Sequence, residues 1–138
     1  MNPKFDHKYP KTHTIEIGVI HFYPNIMITE INQGAVLNVT TGEHLLALVH
    51  QYFGNHTPFV YIANRINSYS FDPADHFKTL AMFPNIIGYS TIAYNEISYK
   101  IAEFEGNFVS IPFKICKDLE EARTWGKEIL ASHDESIS

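Results

Sequence analysis

The stretch Pro58-Phe59-Val60-Tyr61-Ile62-Ala63-Asn64-Arg65-Ile66-Asn67-Ser68-Tyr69-Ser70-Phe71-Asp72-Pro73 decides the fold class. Pro58 to Ala63 is a short, continuous apolar run bounded by turn-forming residues, as expected of a strand buried on both faces. Asp72-Pro73 reads as an N-cap followed by a proline at the first helical position, opening a helix with Phe77, Leu80 and Ala81 inward. A buried strand that leads through a polar loop into a helix belongs to a parallel sheet covered by helices.

Working outward, the same alternation continues downstream. Pro84-Asn85 ends the helix, and Ile86 to Ala93 reads as another buried strand. Asn95 caps a helix carrying Ile97, Ile101 and Phe104 inward and closed by Gly106-Asn107. Val109, Ile111, Phe113 and Ile115 alternate with Ser110, Pro112 and Lys114, a half-exposed strand that Pro112 places at a sheet edge. A last helix opens at Asp118 with Glu121 completing a capping box, and buries Leu119, Ala122, Trp125 and Ile129.

Upstream the pattern is extended. Ile15, Ile17, Val19 and Ile20 read as a first strand and Ile26 to Ile31 as a second. Ala35 to Val39, after the Asn32-Gln33-Gly34 turn, reads as a third, and together they form an antiparallel meander. Thr40 and Glu43 have capping-box spacing ahead of a helix with Leu45, Leu48, Val49, Tyr52 and Phe53, and Gly54 stands at its C-cap position. The element order is β-β-β-α-β-α-β-α-β-α. This is an α/β fold with a mixed sheet of about six strands, an N-terminal meander followed by alternating strands and helices. A single domain is expected over residues 14–133, with a flexible arm at 1–13 and a polar tail at 134–138.

Composition narrows the function classes. The chain has 138 residues, 45 % of them hydrophobic and 18 % charged, enough apolar content for one packed core. Its formal net charge is −5, and residues 1–70 balance (Lys4, Lys8, Lys11 and Arg65 against Asp6, Glu16, Glu30 and Glu43), so the excess lies in the second half. A neutral front and an acidic back lack the basic stripe of a nucleic-acid binder. No apolar run approaches the roughly 18 residues of a spanning helix, and no secretory signal is expected. The lone cysteine, Cys116, closes an apolar strand pattern and is expected to be a buried, inert thiol in a cytoplasmic protein.

Catalytic and metal motifs are sparse. There is no Gly-x-Ser-x-Gly elbow, P-loop or Gly-x-Gly-x-x-Gly, and no His-x-x-x-His pair among the eight histidines. The acids Glu103, Glu105, Glu120 and Glu121 read as solvated helix faces. No catalytic residue, metal ligand or cofactor is therefore assigned.

The Asn64–Pro73 loop is the best-placed candidate site. In open α/β sheets, sites form outside the carboxyl ends of parallel strands, where helix N-termini point free amides outward. Arg65, one of two arginines in the chain, stands there with Asn64, Asn67, Ser68 and Ser70, a set suited to a carboxylate or phosphate. Tyr69 and Phe71 offer rings to a protein partner. The competing reading has Asn and Ser shaping the turn while Arg65 pairs with Asp72 or Asp75.

The element order from Thr14 to Ser132, together with Asp118-Leu119-Glu120-Glu121-Ala122-Arg123-Thr124-Trp125, resembles the STAS fold in its SpoIIAA-like branch, structurally akin to the CRAL-TRIO lipid-binding superfamily. That octapeptide is similar to the acidic start of the last helix in SpoIIAA-like proteins. The resemblance implies a noncatalytic regulatory or ligand-binding module, acting through a protein partner or a small anionic ligand at residues 64–73. It makes Ser68 and Ser70 candidate phosphoacceptors, although the Asp-Ser-Ser-Gly signature of that class is absent. The alternatives are a small enzyme using Arg65, Asn67 and a nearby serine or His76 on an anionic substrate, or a lipid-binding protein. Assembly into a homo-oligomer is compatible with the Pro112 edge and the aromatic content.

Overall fold

The computed structural model describes residues 8–137. Its elements follow the expected order: β1 (Lys11–Ile15), β2 (Gly18–Phe22), β3 (Ile26–Ile31), α1 (Glu43–Phe53), β4 (Phe59–Asn64), α2 (Pro73–Leu80), β5 (Ile86–Ile92), α3 (Glu96–Glu105), a 3₁₀ turn (Gly106–Phe108), β6 (Phe113–Cys116) and α4 (Leu119–Ile137). The six strands lie in sequence order in one sheet. β1–β2 and β2–β3 pair antiparallel, whereas β3–β4, β4–β5 and β5–β6 pair parallel.

The layers follow from the pleat. One face carries Phe22, Met27, Phe59, Tyr61 and Tyr89 and is covered by Leu45, Leu48, Val49 and Phe53 of α1 with Phe77 of α2. The other carries Ile26, Ile28, Val60, Ile62 and Ile92 and is covered by Ala122, Trp125 and Ile129 of α4. All six residues of β4 are buried, as a strand between two helical layers must be. The register aligns Met27, Tyr61, Tyr89 and Phe113 in one row across the four parallel strands.

Several boundaries differ from expectation, each for a local reason. The apolar run from Ile15 to Ile20 is a hairpin, turning at Glu16-Ile17 into Gly18. Gly18 has φ +157°, and a Cβ there would lie 2.3 Å from the Glu30 carbonyl oxygen, so only glycine closes this turn. Ala35 to Val39 is not a strand of the sheet; only Val36 makes an isolated parallel bridge, to Ser70. Thr40 does not cap α1, whose N-cap is Gly42 without a side-chain bond. Thr41 instead exchanges bonds of 2.9 Å with Asn38.

Ala81 is the exposed C-cap of α2 rather than an inward residue. The last strand is confined to Phe113–Cys116, on the edge that Pro112 predicts. The expected arm at 1–13 is strand from Lys11, with residues 1–7 outside those described, and the segment expected as a tail continues α4 to Ile137. The caps at Asp72, Asn95 and Gly54 form as read.

α3 is turned opposite to expectation. Ile97, Ile101 and Phe104 are 74 %, 50 % and 57 % exposed, and the residues α3 buries are Ala102 and Glu105.

Candidate functional site

The loop after β4 is held from its neighbour by backbone bonds. Gly34 N donates to Ser68 O (2.7 Å), Leu37 N to Ser70 O (2.8 Å) and Ser70 N to Ala35 O (3.0 Å). Side chains complete the seam: Asn67 Nδ2 donates to Ile31 O (3.0 Å), and Gln33 Oε1 accepts from Ser68 N (2.8 Å). So tied, the loop is extended, and its side chains alternate. Arg65, Asn67, Tyr69 and Phe71 turn inward and are partly buried, while Ile66, Ser68 and Ser70 are exposed.

That alternation sorts the residues singled out from sequence. Arg65, Tyr69 and Phe71 come together, the guanidinium lying 5.7 Å from the Tyr69 ring and 5.0 Å from the Phe71 ring. Asn67 serves the loop itself, and Ser68 and Ser70 face solvent. Asn64 belongs to the α4 face, where it accepts from Tyr94 Oη (2.5 Å) and donates to Glu30 Oε2 (3.3 Å).

Arg65 is paired with neither Asp72 nor Asp75. Its Nη1 donates to Glu105 Oε1 and its Nη2 to Tyr89 Oη at 3.0 Å, and the two charged side chains are only 11 % and 6 % exposed. Glu105, read from sequence as solvated, is thus the counter-ion of the site. Its neighbour Glu103 is exposed. The spacing of Ala102 and Glu105 places them on one helix face, but no local pattern says that this face turns inward.

The cluster is electrically closed. Burial alone disfavours the Arg65 charge, but Tyr89, Tyr69 and the Glu105 carboxylate outweigh it and hold the guanidinium charged. Burial raises the Glu105 carboxyl above its ordinary range, with Arg65 opposing. Burial, assisted by neighbouring Tyr69 and Tyr89, keeps the Tyr61 phenol protonated far beyond its usual range. His76 of α2 is pulled down to about 4, by burial first and Arg65 second, so its imidazole is neutral at neutral pH. Thr29 Oγ1, Tyr61 Oη, Arg65 Nε and Thr91 Oγ1 are buried without a hydrogen-bond partner.

Beside this cluster lies a cavity of about 460 Å³ between α1, α2 and the sheet. Met27, Phe59 and Tyr61 form its floor, Leu45, Leu46 and Val49 one wall, and His76 and Leu80 the other. Asp72, Asp75, Lys78 and Thr79 stand at its α2 rim, with the exposed Val39 and Met82 beside them. Tyr61 and His76 belong to both cavity and cluster, which makes them the wall between the two. Asp72, Asp75 and His76 of the lining were singled out from sequence; its apolar residues read as ordinary core, because a cavity has no periodicity of its own.

Cys116 is buried, accepts from Ser90 Oγ at 3.3 Å, and has its thiol raised by burial. Among the described residues no group of three or more His, Cys, Asp or Glu gathers to hold a metal ion, and no helix is long and apolar enough to cross a membrane. Comparison with family models, curated proteins and solved structures finds no match to this chain.

Proposed function

We propose that this domain is a noncatalytic, STAS-like binding module that takes a small, uncharged, largely apolar molecule into the cavity between α1 and α2. The observation that carries the reading is the cavity itself. Its 460 Å³ falls in the ordinary range for ligand pockets and equals about fifteen water volumes. A space of that size lined largely by Leu, Val, Met and Phe offers dispersion contacts to an apolar occupant.

An uncharged occupant is preferred to the small anion that the loop composition suggests. Arg65 lies behind Tyr61 and His76 and is already neutralised by Glu105; Lys78, the cation on the lining, shares the rim with Asp72 and Asp75; and at the inner end His76 and Tyr61 carry no charge at neutral pH. A carboxylate placed there would lose its hydration without gaining a free counter-ion. The same states favour binding over catalysis, since a general acid or base works best with a pKa near the operating pH. A regulatory role follows if occupancy is read through Tyr61 and His76, which connect the cavity to the loop at residues 64–73.

The test is a fluorescence titration with prodan, a neutral, compact naphthalene ketone whose emission shifts blue in apolar surroundings. Saturable binding is expected in the wild-type chain and at least a tenfold loss in Leu46→Trp, which fills the cavity from its partly buried wall without unfolding the protein. Decanol should displace prodan well and decanoate poorly. No saturable binding by the folded wild type would sink the reading, and better displacement by decanoate would return it to an anionic ligand.

A further inference from the structure

α3 exposes its apolar side and buries a carboxylate, the reverse of a surface helix. Ile97, Ile101, Phe104 and Phe108 follow one another at intervals of four, three and four residues, along one stripe. All four are exposed, by 74 %, 50 %, 57 % and 40 %, and Phe104 and Phe108 stack edge to face at 5.5 Å. Rolling the helix to hide the stripe would pull Glu105 away from Arg65 and leave the buried guanidinium unpaired.

We infer that this stripe is a two-fold dimer interface with a second copy of the same chain, α3 packing antiparallel on α3. The spacing is palindromic. In an antiparallel pair each Ile97 meets the other copy's Phe108 and each Ile101 its Phe104, so every contact sets a branched aliphatic side chain against a ring. Such self-complementarity is what an isologous interface requires. The area agrees. The stripe leaves on the order of 500 Å² of apolar surface uncovered, near the top of what a monomer exposes in one patch (~300–600 Å²). Two copies would bury about 1,000 Å² from the stripe alone, the threshold for a specific interface. The Lys100–Glu96 pair on the same helix (3.8 Å) is neutral as a unit and adds no net repulsion. Since Glu105, one turn beyond Ile101 on the inward flank of the stripe, holds Arg65, the dimer also clamps the helix that supports the candidate site.

The test is sedimentation equilibrium of the 138-residue chain at about 10–100 μM. The expected species is a dimer of twice the 15.8 kDa chain mass. Ile101→Lys and Phe104→Asp change exposed positions, so both variants should keep the wild-type circular dichroism and each should be monomeric. Mixed together they should form a heterodimer, because Lys at one position then faces Asp at the other across the two-fold axis. A wild type that stays monomeric at 100 μM overturns the inference; if that monomer cosediments with phosphatidylcholine vesicles, the stripe is a lipid-facing surface instead. A dimer that survives in either variant, or a mixture that fails to associate, overturns the α3 pairing.

Discussion

Arg65 and Glu105 are joined across 40 residues of chain by a buried ion pair that ties the loop after β4 to the last turn of α3. The bond from Arg65 to Tyr89 extends the tie to β5. The loop composition points to a ligand-facing arginine; the fold turns it into a strut.

Removing one partner should therefore unfold more than it unbinds. Arg65→Ala or Glu105→Ala leaves a buried charge alone and is expected to cost about 3–5 kcal/mol in urea denaturation. Replacing both by Met and Leu should recover most of that loss. If Arg65→Ala keeps full stability and loses only ligand binding, the strut interpretation fails.

His76 sets a pH window. Its folded pKa of about 4 lies below the ordinary 6.5, so between those values the unfolded chain binds more protons and stability rises with pH. The contribution is complete above about pH 6.5 and is lost on acidification toward pH 4, on the order of 1–3 kcal/mol. Glu105, whose carboxyl is raised, acts in the opposite sense, so the comparison must be made against His76→Phe. The difference in urea midpoint between pH 7 and pH 4.5 should shrink in that variant; an unchanged difference would rule His76 out as its source.

Tyr61 Oη is buried beside Thr29, with no hydrogen bond of good geometry. Deleting an unsatisfied hydroxyl removes a desolvation penalty, so Tyr61→Phe should leave the ligand-free protein as stable as wild type or more stable by about 1 kcal/mol. A thermal melt showing a loss of that size would mean that the hydroxyl is bonded in solution.

The loop seam is testable by amide hydrogen exchange. Asn67→Ala removes the bond to Ile31 O, and should cost about 1 kcal/mol and speed exchange at Gly34, Leu37 and Ser70 while leaving β4 and β5 protected. Equal acceleration in β5 would show that the loop and the sheet open together.

The amino-acid sequence by itself determined the order of elements, the mixed sheet and the caps at Asp72, Asn95 and Gly54, because these depend on periodicity and turn chemistry within a few residues. It also located the loop at the carboxyl end of a central strand. Tertiary structure decided which way that loop and α3 face. The apolar stripe of α3 reads as a buried face by its spacing, and it lies outside because the adjoining flank, Ala102 and Glu105, turns inward so that Glu105 reaches Arg65. Ala35 to Val39 reads as a strand, and becomes a loop partner because its amides and carbonyls bond to residues 68–70 instead of a neighbouring strand. The cavity is a gap between α1, α2 and the sheet, and its apolar lining is locally indistinguishable from core. Each of these outcomes rests on contacts between segments distant in the chain, where local hydropathy gives no sign of the partner.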